Sequence, residues 1–135
     1  MKRIFTILLV MISLVSFSQK VKIKKDIVSI DEVEVYKIDE EGKSMTLSTM
    51  AGNEFITMLR TVYKEWRNGY EFSPSVCTIK FLSNGQEVLT DMSDKDIIKV
   101  IYKSGMVNAD GKIDEDKANI FINKYNDKNL KLKIK

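Results

Sequence analysis

The sequence predicts an α+β domain in which an antiparallel β-meander of about six or seven short strands is followed by two helices. Two observations predict this order. Short runs of β-branched and aromatic residues, separated by turn residues, fill positions 21–91, which is typical of consecutive antiparallel strands. After Asp91 the apolar residues instead recur at the spacing of amphipathic helices. We therefore expect both helices to pack on one face of the sheet.

Residues 1–18 are predicted to be an export signal peptide. A basic start precedes a nearly uninterrupted apolar stretch at residues 4–15, and serines stand one and three places before a cut after Ser18. The stretch is shorter than the roughly 20 residues of a transmembrane helix, and an uncleaved N-terminal membrane tether is the alternative interpretation. We expect a periplasmic or secreted protein with no membrane span after cleavage, made of a single domain over residues 19–135.

Apolar and β-branched runs mark the strands of the predicted meander. In chain order they lie around residues 21–23, 27–30, 33–38, 45–50, 54–66, 70–72 and 76–81. The longest run, 54–66, has bulky side chains on both faces, with Phe55 and Leu59 on one and Ile56 and Met58 on the other. It is predicted to be a central strand that is covered on both sides.

Two Asn-Gly pairs predict tight hairpin turns. Asn68-Gly69 and Asn84-Gly85 can each supply the two positive φ angles that a two-residue type I′ turn requires. Pro74 has no N–H group to donate to a β-ladder, so the strand around residues 70–72 should end before it or lie at an edge.

Capping residues and apolar stripes predict the two helices. The first begins at a Ser-x-x-Asp capping box of Ser93 and Asp96 and ends at Gly105, and the second follows the turn at Asp110-Gly111. Their apolar stripes are formed by Ile97, Ile98, Ile101 and Tyr102 in the first helix and by Ala118, Phe121, Ile122 and Tyr125 in the second. The strict alternation of residues 130–135 predicts a C-terminal edge strand, with a disordered tail as the alternative.

The composition excludes several classes of function. Without the signal peptide the net charge falls from +3 to +1, which is too small for general nucleic-acid binding. The sequence has no histidine and one cysteine, which excludes histidine-dependent catalysis, internal disulfides and most zinc sites. We expect no metal, no cofactor and no enzymatic activity. Cys77 alternates with Ile79 and Phe81 on one strand face and is predicted to be a buried apolar side chain.

Two segments with acidic residues could bind calcium or catalyse hydrolysis, but the sequence pattern of each favours a structural role. Residues 108–114 resemble the middle of a calcium-binding loop, but Met106 and Lys117 stand where the first and last carboxylate ligands belong. This segment is therefore predicted to be a turn that links the helices and caps the second one. Carboxylates within residues 31–41 could supply the acid pair of a small hydrolase, whereas such clusters are typically solvated surface.

The hairpin around Asn68-Gly69 is the candidate ligand-binding site. A two-residue loop would place Arg67 opposite Tyr70 and Glu65 opposite Phe72 on one side, and Trp66 opposite Glu71 on the other. Aromatic rings with interleaved charges are typical of patches that bind proteins or glycans. They also occur in ordinary half-buried hairpins. The residues proposed for binding are Tyr63, Trp66, Arg67, Tyr70 and Phe72.

The chain resembles an uncharacterised family of small exported proteins of flavobacteria and related Gram-negative bacteria. The resemblance rests on the junction Ser18-Gln19, on residues 22–28, and on residues 94–125, which contain Ile-Tyr-Lys-Ser, Asp-Gly and Phe-Ile-Asn-Lys-Tyr. It implies export and supplies no catalytic motif. The sequence thus predicts a non-enzymatic module that binds a protein or glycan of the cell envelope. The alternatives are an envelope factor acting through sheet edges and a small carboxylate-based hydrolase.

Overall fold

The computed structural model describes residues 20–133, so the predicted signal peptide, Gln19 and the last two residues lie outside the described residues. Within this range the chain forms nine strands and three helices. The strands are β1 (Val21–Lys24), β2 (Ile27–Ile30), β3 (Val33–Glu41), β4 (Ser44–Thr49), β5 (Glu54–Val62), β6 (Glu65–Arg67), β7 (Tyr70–Phe72), β8 (Ser75–Phe81) and β9 (Glu87–Thr90). The helices are α1 (Asp94–Ser104), α2 (Glu115–Tyr125) and α3 (Leu130–Lys133).

Seven of these strands form one antiparallel sheet in the order β1-β2-β3-β4-β5-β8-β9. Each strand lies beside its neighbour in the chain, except that the hairpin β6–β7 is inserted between β5 and β8 and forms a sheet of its own. The predicted α+β class, a meander followed by two helices, is confirmed.

The two helices bury one face of the sheet. Ile97, Ile98 and Ile101 of α1 are fully buried, and Ala118 and Phe121 of α2 are nearly so. They join a single apolar core with alternate residues of the strands, among them Val28, Ile38, Leu47, Ile56, Met58, Cys77, Ile79, Phe81 and Val88. The period-two pattern of the strands thus supplies the sheet side of the core, and the helical stripes supply the other side.

Local capping interactions set the starts of both helices and the end of the first, as predicted. Ser93 Oγ accepts a hydrogen bond from the N–H of Asp96 at 3.3 Å, and Gly105 ends α1 with a φ of 66°. Asp114 Oδ1 accepts from the N–H of Lys117 at 3.2 Å and caps α2. These bonds satisfy N–H groups that a helix start leaves without internal partners.

The longest predicted strand is shorter and less covered than expected. β5 is central, between β4 and β8, but it ends at Val62 instead of Trp66. Leu59 remains 46% exposed because both helices pack on the opposite face, with Ile56 and Met58. Phe55 reaches the core because the β4–β5 register shifts beside it, and its ring centroid lies 5.2 Å from that of Tyr36.

The two Asn-Gly pairs behave differently. Asn68 and Gly69 have φ angles of 52° and 81°, which confirms the tight type I′ turn. The predicted type I′ turn at Asn84-Gly85 is wrong, because only Gly85 has a positive φ and the connection from Phe81 to Glu87 is longer. There the Asn84 Oδ1 atom accepts from the N–H of Gln86 at 2.9 Å, and this bond supports a wider loop.

The C-terminal segment does not form the predicted edge strand. Residues 130–133 form the short helix α3, in which Leu130 is buried. The edge of β9 is already bonded, because Leu89 donates its N–H to Asn126 Oδ1 and accepts at its carbonyl from the N–H of Asp127, both within 2.9 Å. Because these backbone groups of Leu89 already have partners, a further strand cannot pair with β9 there. Leu130 is buried as part of a helical turn instead.

Candidate functional site

The predicted binding residues meet on a hairpin outside the main sheet. Among the described strands, β6 and β7 pair only with each other, in the register Arg67 to Tyr70, Trp66 to Glu71 and Glu65 to Phe72. This register confirms the predicted arrangement of the two sides. Because side chains alternate along a strand, Arg67, Tyr70 and Phe72 share one side and Trp66 lies on the other.

Pro74 separates this hairpin from the main sheet. β5 and β8 pair up to Val62 and Ser75, and beyond them the N–H of Tyr63 donates to the carbonyl of Pro74 at 3.0 Å. Pro74 cannot donate in return, so the ladder is interrupted before β6 and β7 begin. The hairpin therefore forms a separate two-stranded ribbon after the paired ends of β5 and β8.

The large side chains of this ribbon are exposed. Trp66 is 70% exposed, Tyr70 is 71% exposed and Phe72 is 47% exposed, while Tyr63 at the base is half-buried. Half-buried packing, the alternative interpretation of the hairpin, does not describe Trp66 and Tyr70. A contiguous exposed apolar patch marks a contact surface, whereas apolar side chains scattered singly are common. Tyr70 and Phe72 are exposed on the same side of the ribbon.

Charged groups pair along and across the ribbon. Arg67 Nη2 lies 3.0 Å from Glu65 Oε2, and the Arg67 guanidinium carbon lies 5.9 Å from the centroid of the Phe72 ring. On the other side, Lys64 Nζ lies 3.4 Å from Glu71 Oε1. Arg67 thus bridges the Glu65 carboxylate and the face of the Phe72 ring.

A second polar cluster lies at the edge of the core, and the sequence patterns did not indicate it. Arg60 of β5 forms an ion pair with Asp94 at the start of α1. Its guanidinium also donates to the carbonyl of Met92 at 3.1 Å and to Ser75 Oγ at 3.4 Å. In the sequence, this cluster was indicated only by Arg60, a cationic residue at a core-facing position of the longest predicted strand.

This cluster adjoins a cavity of about 150 Å³ that Glu40, Asp94 and Cys77 help to line. Cys77 is fully buried, as predicted, and burial raises the pKa of its thiol to about 11 despite the opposing effect of Arg60. A thiol with this pKa is almost entirely protonated near neutral pH and is a poor nucleophile. Asp94 is occupied by Arg60, so the cavity offers no free pair of acids.

The calcium-like segment is a satisfied turn. Asn108 Oδ1 accepts from the N–H groups of Asp110 and Lys112 at 3.0 and 2.9 Å, and the Asn108 carbonyl accepts from the N–H of Gly111 at 3.0 Å. The predicted helix-linking turn is confirmed. Over residues 20–133, no group of three or more acidic, cysteine or histidine side chains could hold a metal ion.

The edges of the sheet are protected against strand addition. β1 has only four residues, and its exposed positions are Lys22 and Lys24. The β9 edge is bonded by Asn126 and Asp127. Short lysine-bearing edges and covered edges are devices that prevent pairing with another chain. The exposed hairpin is therefore the stronger candidate contact surface.

Comparison of the chain with protein-family models, curated proteins and solved structures finds no match. Of the helices in the described part of the chain, none is long and apolar enough to cross a membrane.

Proposed function

We propose that this protein is an exported, non-enzymatic binding module whose hairpin, residues 63–72, contacts a protein of the cell envelope. The observation that carries the proposal is the exposure of Trp66 and Tyr70 on a ribbon that pairs only with itself among the described strands. Burying such rings in a partner contributes apolar area at a small entropic cost, and tryptophan, tyrosine and arginine are enriched among the residues that dominate binding energy.

The arrangement of the rings favours a protein partner over a glycan. Trp66 lies on one side of the ribbon, and Arg67, Tyr70 and Phe72 lie on the other. A sugar stacks against one side at a time, whereas a cleft in a protein can enclose both sides. Glycan binding is the second candidate, and it is supported by the side on which Arg67 lies beside Tyr70 and Phe72.

Affinity capture from the native envelope fraction, followed by mass spectrometry, tests the proposal. We expect the Trp66→Ala, Tyr70→Ala double variant to lose about tenfold or more of the captured partner. The matched control is Val33→Ala with Leu82→Ala, which also removes exposed apolar side chains but lies outside the hairpin. The control should capture the same partner as the unchanged protein.

Stability measurements separate binding from packing. Because the two rings are mostly exposed, the double variant should unfold within about 0.5 kcal/mol of the unchanged protein. Undiminished capture by a folded double variant would contradict the proposal, as would unfolding of this variant. Capture of polysaccharide without any associated protein would favour the glycan alternative.

A further inference from the structure

A groove between α1 and α2 combines an apolar floor with a rim of lysines. It encloses about 270 Å³ and involves no residue of the hairpin. Phe121 and Tyr125 line it with their rings, with Lys124 Nζ 5.3 Å from the Tyr125 ring centroid, and Ile120 lines it with 67% of its surface exposed. The ammonium groups of Lys103, Lys117 and Lys124 belong to the side chains that line it.

Helical spacing places these groups together. Lys117, Ile120, Phe121 and Lys124 are three or four residues apart, so they share one side of α2. Lys103 lies in the last turn of α1, and Lys117 Nζ lies 3.5 Å from where a Cβ on the neighbouring Gly105 would stand. The Lys117 ammonium therefore extends over the end of α1, towards the turn that carries Lys103.

These lysines lack carboxylate partners. None of the three forms an ion pair with another residue in the described range 20–133. The helix dipole favours cations at all three positions, because Lys103 and Lys124 lie in the last turns of their helices and Lys117 Nζ lies near the C-cap Gly105 of α1. The dipole does not explain why Ile120, a large apolar side chain, stands exposed between Lys117 and Lys124.

We propose that this groove binds a small amphiphilic carboxylate, with a short acyl chain on the apolar floor and the anionic head among Lys103, Lys117 and Lys124. The charges are complementary, because a carboxylate would neutralise cations that the described part of the fold leaves without counter-charge. The volume lies just below the roughly 300 Å³ at which pockets for drug-sized ligands begin, which suits a short single chain.

Titration of the purified protein with decanoate, kept monomeric, tests the assignment by calorimetry and by NMR. We expect saturable binding of one decanoate, with the largest amide shifts at Val100, Ile120, Phe121 and Tyr125. Changing Lys103, Lys117 and Lys124 together to glutamine should weaken binding by about tenfold or more. All three are exposed, so the variant should remain folded.

Two controls make the result specific. Changing Lys80, Lys95 and Lys112 to glutamine lowers the net charge equally at exposed positions outside the groove and should leave binding unchanged. Decanol and decyltrimethylammonium should not bind. The proposal is overturned if decanol binds as tightly as decanoate, if the groove variant retains full affinity, or if the protein binds anionic vesicles but not monomeric decanoate. The Trp66→Ala, Tyr70→Ala double variant should bind decanoate normally, so this test is independent of the proposed hairpin function.

Discussion

Arg60 of β5 and Asp94 of α1, 34 residues apart in the chain, form an ion pair that joins the sheet to the first turn of the helical layer. Arg60 also donates to the carbonyl of Met92, just before the helix begins. The guanidinium thus fixes both the entry of the chain into α1 and the orientation of its first turn.

Removing the carboxylate of this pair should destabilise the domain. Asp94→Asn leaves the partly buried Arg60 cation without its counter-charge, and we expect a loss of about 1 kcal/mol in the free energy of unfolding, because both groups are partly solvated. Urea denaturation measures the loss. Asp96→Asn is the matched control, since it removes another acid from the same helical turn without touching Arg60. Equal losses in the two variants would show that the helix dipole, and not the ion pair, is responsible.

The β2–β3 turn should be stabilised by glycine. Asp31 and Glu32 both adopt positive φ angles, 51° and 70°, which residues other than glycine, asparagine and aspartate rarely adopt, so the strain falls mainly on Glu32. Glu32→Gly removes this strain and should raise the free energy of unfolding by about 0.5 to 1 kcal/mol, with Asp31 kept because its carboxylate accepts from the N–H of Lys20. Thermal unfolding followed by circular dichroism checks the gain. A lower melting temperature would contradict the assigned turn strain.

Gly111 should tolerate alanine less well than Gly42. Both have positive φ angles, 82° and 62°, but a Cβ at Gly111 would lie 2.8 Å from the Cβ of Asn53, whereas at Gly42 it would meet nothing within 4 Å. Gly42→Ala should therefore cost about 1 kcal/mol from backbone strain alone, and Gly111→Ala should cost clearly more. Chemical denaturation of both variants gives the comparison. Similar losses would show that the loop shifts freely away from Asn53.

Alkaline pH should destabilise the domain through Cys77. Burial raises the pKa of its thiol from 9.0 to about 11, so the folded state holds a proton that the unfolded chain releases earlier. The stabilising contribution is complete below pH 9.0 and is lost as the pH rises towards about 11. Burial, followed by the nearby Tyr102, raises the pKa of Tyr36 to about 12, which acts in the same direction.

The cysteine component of this pH dependence can be isolated. Between pH 8 and pH 10.5, the free energy of unfolding of Cys77→Ala should fall less steeply than that of the unchanged protein. Iodoacetamide should also modify Cys77 quickly in denaturant and slowly in the native protein, since the thiolate is the reacting form. Rapid modification of the native protein at pH 8 would contradict the buried, protonated thiol.

Short-range sequence patterns correctly predicted the features that depend only on neighbouring residues. The caps at Ser93 and Asp114, the stop at Gly105 and the turn at Asn68-Gly69 each depend on residues within a few positions, so their geometry follows from local backbone and side-chain chemistry. The same locality correctly indicated which residues share each side of the candidate hairpin.

Sequence patterns gave wrong predictions where contacts with a distant part of the chain determine the local structure. Residues 130–133 alternate like a strand, yet Asn126 and Asp127 occupy the edge that such a strand would need. Asn84-Gly85 fits a tight turn, yet β8 ends at Phe81 and β9 begins at Glu87, so the connection is too long for a two-residue turn. Both faces of β5 carry bulky side chains, so the sequence could not show which face the helices cover.

The sequence by itself determined the α+β order of strands and helices, because hydrophobic periodicity is a property of adjacent residues and their burial follows from it. Only the tertiary structure decided that Trp66 and Tyr70 stay in water, that Arg60 meets Asp94, and that three lysines surround one groove. Exposure and charge pairing depend on which elements pack together, and residues far apart in the chain set those contacts through the shared core.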